Sequence, residues 1–220
     1  MNFSGDHNLG LYVKTSDKFS LVGNFVSEND LLKIKDFLKV EVIRTTISNT
    51  DLIGMFVCLN SNGVLLPKII SNRETERLNA LKNEFDMNIG ILKSKFTAIG
   101  NLILANDKGA IVSKVFKRTE KKIIEDCLSV EVGYSSISNM EIVGSTGVAT
   151  NKGCLLHRDA TEEEIKKIEE ILKVKCDIGT ANFGSPFVGS CIFANSNGAL
   201  VGESTTGPEI VRITEALDLI

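Results

Sequence analysis

The 220-residue sequence predicts an α/β protein in which five pseudo-symmetric strand-strand-helix-strand repeats close into a ring. The first observation is an anchor glycine that recurs every 44 to 46 residues, at Gly10, Gly54, Gly100, Gly144 and Gly189. The second is another glycine nine residues after each of the last four anchors, at Gly63, Gly109, Gly153 and Gly198. The third is an aliphatic pair that begins eleven residues after every anchor, at Leu21, Leu65, Ile111, Leu155 and Leu200.

The residues after each anchor predict a β-hairpin. A short apolar run leads into a turn rich in Asn, Asp and Gly, and a second apolar run follows. Such turns need residues that tolerate positive φ. The position six residues after the anchor holds asparagine in three units, Asn60, Asn106 and Asn195, and Ser16 or Thr150 in two others.

A helix and a short third strand are predicted to follow each hairpin. Acidic residues cluster in the first turn of each helix, where the helix dipole favours them. Thr119 and Thr161 are predicted as N-caps, and Pro208 stands near a first helical position. Alternating segments such as Val130-Glu131-Val132 predict the third strand.

Three irregularities bear on how the units assemble. Phe19 replaces the turn glycine of the first unit, the second unit is about three residues longer and carries Phe85, and the last unit stops before a full third strand. A linear array needs polar end caps, and none is evident. We therefore expect a closed ring in which the N-terminal segment meets the last unit. The predicted single domain divides into units at about 1–46, 47–92, 93–137, 138–181 and 182–220.

Composition narrows the class of function. The formal net charge is −3, which disfavours a broad electrostatic footprint for nucleic acid. The five cysteines are widely spaced without a C-x-x-C motif, so neither a zinc site nor a disulfide framework is expected. The start has no secretory pattern and no apolar run is long enough to span a bilayer, which favours the cytoplasm.

Several segments resemble a known family. A ring of five such units is the pentein architecture, and residues 97–110 (TAIGNLILANDKGA) resemble a stretch characteristic of the translation initiation factor 6 family. Residues 179–189 (GTANFGSPFVG) and 205–213 (TTGPEIVRI) are similar to two further family segments, and Leu155-Leu156-His157 to a third. The resemblance covers essentially the whole chain. Because the sequence ends with the fifth unit, without the C-terminal tail of the eukaryotic relatives, we expect an archaeal member.

The resemblance implies a function without catalysis. Members of the family bind the large (50S) ribosomal subunit on its intersubunit face, near the sarcin–ricin loop, and sterically prevent its association with the small subunit. They also act late in large-subunit maturation. The implied partners are ribosomal proteins near that loop, with adjacent rRNA. A Shwachman–Bodian–Diamond-type factor and a translocating GTPase are the implied release factors. A monomer without cofactor, metal or catalytic residues is expected.

Three alternatives compete with this function, the first of them also implied by the pentein resemblance. Penteins also include deiminases and amidinotransferases, which modify guanidino compounds with a cysteine nucleophile and a histidine. Here Cys58 and Cys191 are interpreted as core residues, and His7 and His157 as surface residues. Residues 202–207 have the spacing of a phosphate loop but are followed by Pro208 instead of lysine, so a capped loop is favoured. The basic pairs near 117–122 and 166–175 alternate with glutamates and are interpreted as solvated helix faces, with at most a minor contact to rRNA.

The loops before the anchors are the predicted docking surface. They are short, polar and uncharged, as in residues 45–50, 135–139 and 180–185. Such groups can hydrogen-bond to a protein without a large desolvation cost, although they could equally serve only their own tight turns. The predicted ribosome-binding residues are Asn49, Thr50, Met55, Asn101, Asn139, Asn182 and Ser185. The opposite end, with Asn60, Asn106 and Asn195, is the second choice.

Overall fold

The computed structural model describes all 220 residues and contains five small β-sheets, one for each repeat. The first four sheets have three strands in sequential order, and the fifth has two. In each three-stranded sheet the first two strands form an antiparallel hairpin, and the third lies parallel to the second after a helical crossover. The predicted strand-strand-helix-strand unit is therefore observed in four copies, and the last lacks its third strand.

The strands and helices have the following bounds. The strands are Val13–Thr15, Phe19–Gly23 and Glu41–Thr45; Cys58–Leu59, Gly63–Pro67 and Asn88–Leu92; Ile103–Ala105, Gly109–Val112 and Glu131–Tyr134; Gly147–Ala149, Gly153–His157 and Lys175–Gly179; Ile192–Asn195 and Gly198–Val201. The long helices are Glu28–Leu38, Asn72–Ala80, Arg118–Leu128, Glu162–Leu172 and Gly207–Ala216. Each anchor lies in a one-turn helix, at Leu9–Leu11, Ile53–Phe56, Ile99–Asn101, Val143–Thr146 or Val188–Cys191. None of the helices combines the length and the apolar character that crossing a bilayer would require.

The anchors are glycine because neighbouring units touch there. A Cβ atom on Gly54 would collide with the carbonyl oxygen of Gly10, and the same holds for each later anchor against the one before it. A Cβ atom on Gly10 would collide with the carbonyl oxygen of Gly189. The first unit therefore contacts the last through the same backbone positions that join consecutive units.

The second set of glycines marks another contact between units. A Cβ atom on Gly63 would collide with the carbonyl oxygen of Cys127, in the last turn of the next unit's helix. Gly109 and Gly153 face the following helices in the same way, at Ile171 and Ala216. Helix ends and strand starts thus approach too closely for any side chain.

Phe19 is accommodated because the second unit is remodelled beside it. The helix of that unit ends at Ala80, and residues 81–86 form turns instead of a further helical turn. Phe85 from this segment packs on the fully buried Phe19 ring, with the two centroids 5.4 Å apart. The two irregularities seen in the sequence are one structural adjustment.

The apolar core is divided among the units and the seams between them. One cluster joins Cys58 and Leu65 of the second unit to Ile103, Ile124 and Leu128 of the third. Another joins the first unit to the fifth, with Val13 and Leu38 packed against Phe193 and Leu200. Each long helix buries its apolar face mainly against a neighbouring unit, so no unit has a complete core of its own.

Two predictions about helix starts and histidines are corrected. Thr119 is not an N-cap, because the helix begins at Arg118 and the Glu120 carboxylate accepts a hydrogen bond from the N–H of Lys117 at 2.6 Å. Thr161 is an N-cap as predicted, with a capping box to Glu164. His157 is not a surface residue: it ends its strand at 5% exposure, with its ring edge-on to Phe187.

Candidate functional site

The sheets have two distinct ends, as expected from the direction of the strands. We call the loop end the one where third strands finish and first strands begin, which carries loops 46–50, 136–140 and 181–185. We call the turn end the one with the hairpin turns, at 16–18, 60–62, 106–108, 150–152 and 195–197. The register places Val13 beside Val22, and Val22 beside Arg44, so the loops and the anchors share the loop end.

The three loops of the loop end share an unusual backbone. Each contains consecutive residues with positive φ: Ser48 and Asn49, Ser138 and Asn139, and Asn182 through Gly184. A backbone of this kind aims successive N–H groups to one side. In all three loops, two of those N–H groups point at a glutamate from the next long helix.

Each glutamate holds a loop to the start of the following helix. The Glu74 carboxylate accepts hydrogen bonds from Thr46 Oγ1 at 2.6 Å and from the N–H groups of Ser48 and Asn49 at 3.0 Å. It also completes the capping box with Ser71. Glu164 and Glu209 make the corresponding contacts to the other two loops, to Ser136, Ser138 and Asn139, and to Thr180, Phe183 and Gly184. The loops are therefore rigid, and their backbone is already satisfied.

These contacts keep the three carboxylates ionised. Burial alone would raise the pKa of Glu74, but the hydrogen bonds from Thr46, Asn49 and Ser71 outweigh it and lower the pKa to about 2. The same balance of burial and hydrogen bonds lowers the pKa of Glu209 to about 2, and that of Glu164 in the same direction. The negative charges serve the loops and the helix starts rather than a ligand.

The predicted docking residues divide into available and committed side chains. Asn49 and Asn139 are exposed at equivalent loop tips, and their side-chain amide groups have no partner within the chain. Met55 and Asn101 follow two of the anchors and are half-buried. The structure brings these four residues to the loop end.

The other three predicted docking residues make internal contacts. Asn182 donates to His7 O at 2.7 Å and accepts from Thr205 Oγ1 at 3.0 Å. Thr50 Oγ1 donates to Ile47 O, and Ser185 Oγ lies 3.5 Å from Cys191 Sγ. Their side chains shape the loop end from inside.

The asparagines of the turn end are structural. Asn106 Nδ2 donates to Thr150 O and Leu172 O of the next unit, both at 2.9 Å, while its Oδ1 accepts from Lys108 and Gly109 N–H. Asn60 and Asn195 repeat this pattern toward the third and first units. All three are buried, so they tie neighbouring units together and offer nothing to a partner.

The residues considered for nucleophilic catalysis are not arranged for it. Burial raises the pKa of the Cys58 thiol to about 11 despite the nearby Lys14, and it raises the pKa of Cys191 as well. Both cysteines are core residues as predicted: Cys58 lies in the first strand of its unit, and Cys191 ends the one-turn helix before its strand. Neither thiol has a histidine among its hydrogen-bond partners. No group of three His, Cys, Asp or Glu side chains converges to hold a metal ion.

The phosphate-loop alternative also fails on geometry. Thr206 caps the helix Gly207–Ala216, and its N–H donates to the Glu209 carboxylate at 2.8 Å. The helix start is thus already occupied by a negative group.

A cavity of about 30 Å³ lies between the first strands and is lined by Val13, Lys14, Leu104, Val148 and Phe193. It has room for about one water molecule.

Phe183 is the surface feature that sequence reasoning missed. It lies at the tip of loop 181–185 with 83% of its surface exposed, and Phe187 beside it is 38% exposed. The signal was a large aromatic residue within a run of small polar residues, in a loop whose counterparts at 46–50 and 136–140 have only Ser and Asn at the left-handed positions.

Comparison with known proteins agrees with this architecture. A family model described as the eIF-6 family matches residues 1–216. The chain is 43% identical to "Translation initiation factor 6" of Thermococcus onnurineus and 44% identical to that of Pyrococcus abyssi. Each alignment covers the whole chain, with 97% and 98% of the relative. The protein of the same name from Methanocaldococcus jannaschii is 43% identical over 99% of the chain and 96% of the relative. A match of this length and identity, with the repeats and both sets of glycines in place, shows that the chain belongs to the eIF-6 family of translation initiation factors.

Proposed function

We propose that this protein binds the large (50S) ribosomal subunit on its intersubunit face and sterically prevents association with the small subunit. The relatives are named as translation initiation factors, which supports a role in protein synthesis. The observation that carries the proposal is the loop end itself: rigid loops whose backbone is already hydrogen-bonded and whose exposed amides remain free. Such a surface can dock on a partner with little loss of conformational entropy.

We infer that the five units, taken as one domain, close into a pentein-type five-bladed ring. Two contacts between the first and last units support this. The anchors touch in the order 10, 54, 100, 144, 189 and back to 10. In addition, the carbonyl oxygen of Met1 accepts a hydrogen bond from Glu203 N at 2.8 Å, and the amino group of Met1 donates to Val201 O at 3.2 Å. Ser135 N donates to Val112 O at 3.2 Å in the corresponding place of the third unit. Met1 thus stands where the missing third strand would end.

A rigid ring of this kind would act by occupying surface. Occlusion needs no reaction and no cofactor, only residence on the subunit for long enough, and residence is set mainly by the dissociation rate. A role in late large-subunit maturation would use the same interface. Release by a Shwachman–Bodian–Diamond-type factor and a translocating GTPase belongs to the same proposal.

Co-sedimentation with purified archaeal 30S and 50S subunits tests the function. We expect binding to 50S alone, and we expect light scattering to show slower joining of 30S to 50S. The double variant Asn49→Gly with Asn139→Gly removes two exposed side-chain amides, while glycine still adopts the left-handed backbone of each loop, and should weaken 50S binding about tenfold. Lys152→Ala, an exposed change in a hairpin turn, is the matched control at the turn end. If Lys152→Ala weakens binding and the double variant does not, the turn end is the interface.

A further inference from the structure

Phe183 has no structural reason to be exposed. Among large apolar side chains only the C-terminal Ile220, at 87%, is more exposed than its 83%. An aromatic ring in water gains none of the free energy that burial would provide. Neither solubility nor the conformation of the loop favours phenylalanine at this position.

The backbone at Phe183 makes this residue costly. Its φ is +62°, in the left-handed region that residues with bulky side chains rarely adopt. The left-handed positions of loops 46–50 and 136–140 hold Ser48, Asn49, Ser138 and Asn139, whose short polar side chains tolerate this conformation better. Strained residues of this kind cluster where a protein binds a partner.

The loop holds the backbone of Phe183 in a fixed place. Glu209 accepts hydrogen bonds from Phe183 N at 3.2 Å, Gly184 N at 2.8 Å and Thr180 Oγ1 at 2.8 Å. Phe187, four residues on, rests edge-on against the buried His157 ring with centroids 6.0 Å apart. An aromatic side chain on a fixed backbone, surrounded by polar residues, is typical of the few residues that dominate a protein interface.

The charge around this loop decides between protein and RNA as its partner. Residues 176–211 contain no lysine or arginine, while Glu203 and Glu209 lie in the same stretch. An RNA base stacked on Phe183 would bring phosphates to a loop without a basic residue of its own, and Arg158, which follows the His157 packed on Phe187, already pairs with Asp159 at 3.7 Å. A protein pocket has no such requirement.

We propose that Phe183 is an aromatic anchor that inserts into an apolar pocket of a protein on the large ribosomal subunit. This inference rests on the proposed function and names the kind of contact made at the loop end. The Phe183 ring contributes to the free energy of binding, whereas the left-handed backbone at this residue strains the loop in the unbound protein.

Phe183→Asn tests the proposal through two readouts that move in opposite directions. The Asn variant relieves the left-handed strain, so its melting temperature should rise by about 2–4 °C. It loses the aromatic ring, so its affinity for purified 50S subunits should fall at least about tenfold. The matched control is Phe37→Gln, since Phe37 is 61% exposed on a helix with ordinary backbone and should leave 50S binding unchanged.

The outcomes separate the anchor from the function as a whole. If the wild-type chain binds 50S and the Asn variant binds within about twofold of it, the anchor is wrong while the proposed function stands. If the wild-type chain does not bind 50S, both fail. A photo-crosslinking phenylalanine analogue at position 183 should join the chain to a ribosomal protein, and a crosslink to rRNA instead would overturn the assignment of the partner.

Discussion

Single carboxylates at the loop end contribute stability that depends on pH. The pKa of Glu74 is lowered from 4.5 to about 2, so the folded state holds the ionised form more strongly than the unfolded state does. Its stabilisation is therefore complete above about pH 5 and is lost as pH falls towards 2. Glu74→Gln should lower the free energy of unfolding by about 2–3 kcal/mol at pH 7. Urea titrations at pH 7 and pH 2.5 should show that this difference shrinks in acid.

The control for Glu74 lies on the same helix. Glu76 is exposed and makes no hydrogen bond or ion pair, so Glu76→Gln should change the unfolding free energy by less than about 0.5 kcal/mol at either pH. Equal effects of the two substitutions would mean that the loop contacts of Glu74 contribute nothing to stability.

The asparagines of the turn end lead to a second prediction, because equivalent positions of the repeats hold asparagine in some units and threonine in another. Asn106→Thr removes two buried hydrogen bonds to the next unit and should cost about 2–3 kcal/mol. Thr150 holds the same position in the fourth unit but is too short to reach the fifth. Thr150→Asn should add bonds to the carbonyls of Asn195 and Leu217 and stabilise the protein by about 1 kcal/mol. Equilibrium unfolding measures both, and a destabilised Thr150→Asn variant would contradict the equivalence.

Among the elements, the hairpin of the first unit and the short helix of the second depend on each other. Phe19 fills the space that the truncated helix leaves, against Phe85. Phe19→Ala should therefore lower the unfolding free energy by about 3–5 kcal/mol, even though the other units have glycine at this position. Phe37→Ala, an exposed substitution on the first helix, should stay within about 0.5 kcal/mol. A small loss at Phe19 would indicate that the two units are not coupled in this way.

The extent of successful sequence prediction also differs between elements. Periodicity identified the hairpins, helices and third strands, because the glycines and aliphatic pairs respond to packing that is the same in every unit. It misplaced the N-cap at Thr119, since Lys117 occupies that position with Glu120 three residues on. From the sequence alone, the glutamates that hold the loops are interpreted only as residues favoured by the helix dipole. Their contacts to Thr46 or Thr180 join residues that are 28 or 29 positions apart in the sequence, which periodicity does not reveal. Exposure of Phe183 depends on where a loop points, which composition does not encode.

For the whole molecule, the seam between the first and fifth units distinguishes a closed ring from an open array. Asp17 accepts hydrogen bonds from Ser196 N at 2.7 Å and Ser196 Oγ at 2.6 Å across that seam. Asp107 accepts the corresponding bond from Ser61 N at 2.7 Å within the consecutive series of units. In an open array the two ends would fray independently, and the seam between the first and fifth units would contribute nothing to the free energy of unfolding.

In a closed ring both seams are equivalent. Asp17→Ala and Asp107→Ala should then each lower the free energy of unfolding by about 1–3 kcal/mol, in a single cooperative transition. The measurement is guanidinium unfolding followed by circular dichroism, with the slope of the transition compared between variants. A loss confined to Asp107→Ala would show that the fifth unit does not stabilise the first in solution. The rigid docking surface proposed for the loop end would then lose its support, because its loops take their positions from neighbouring units.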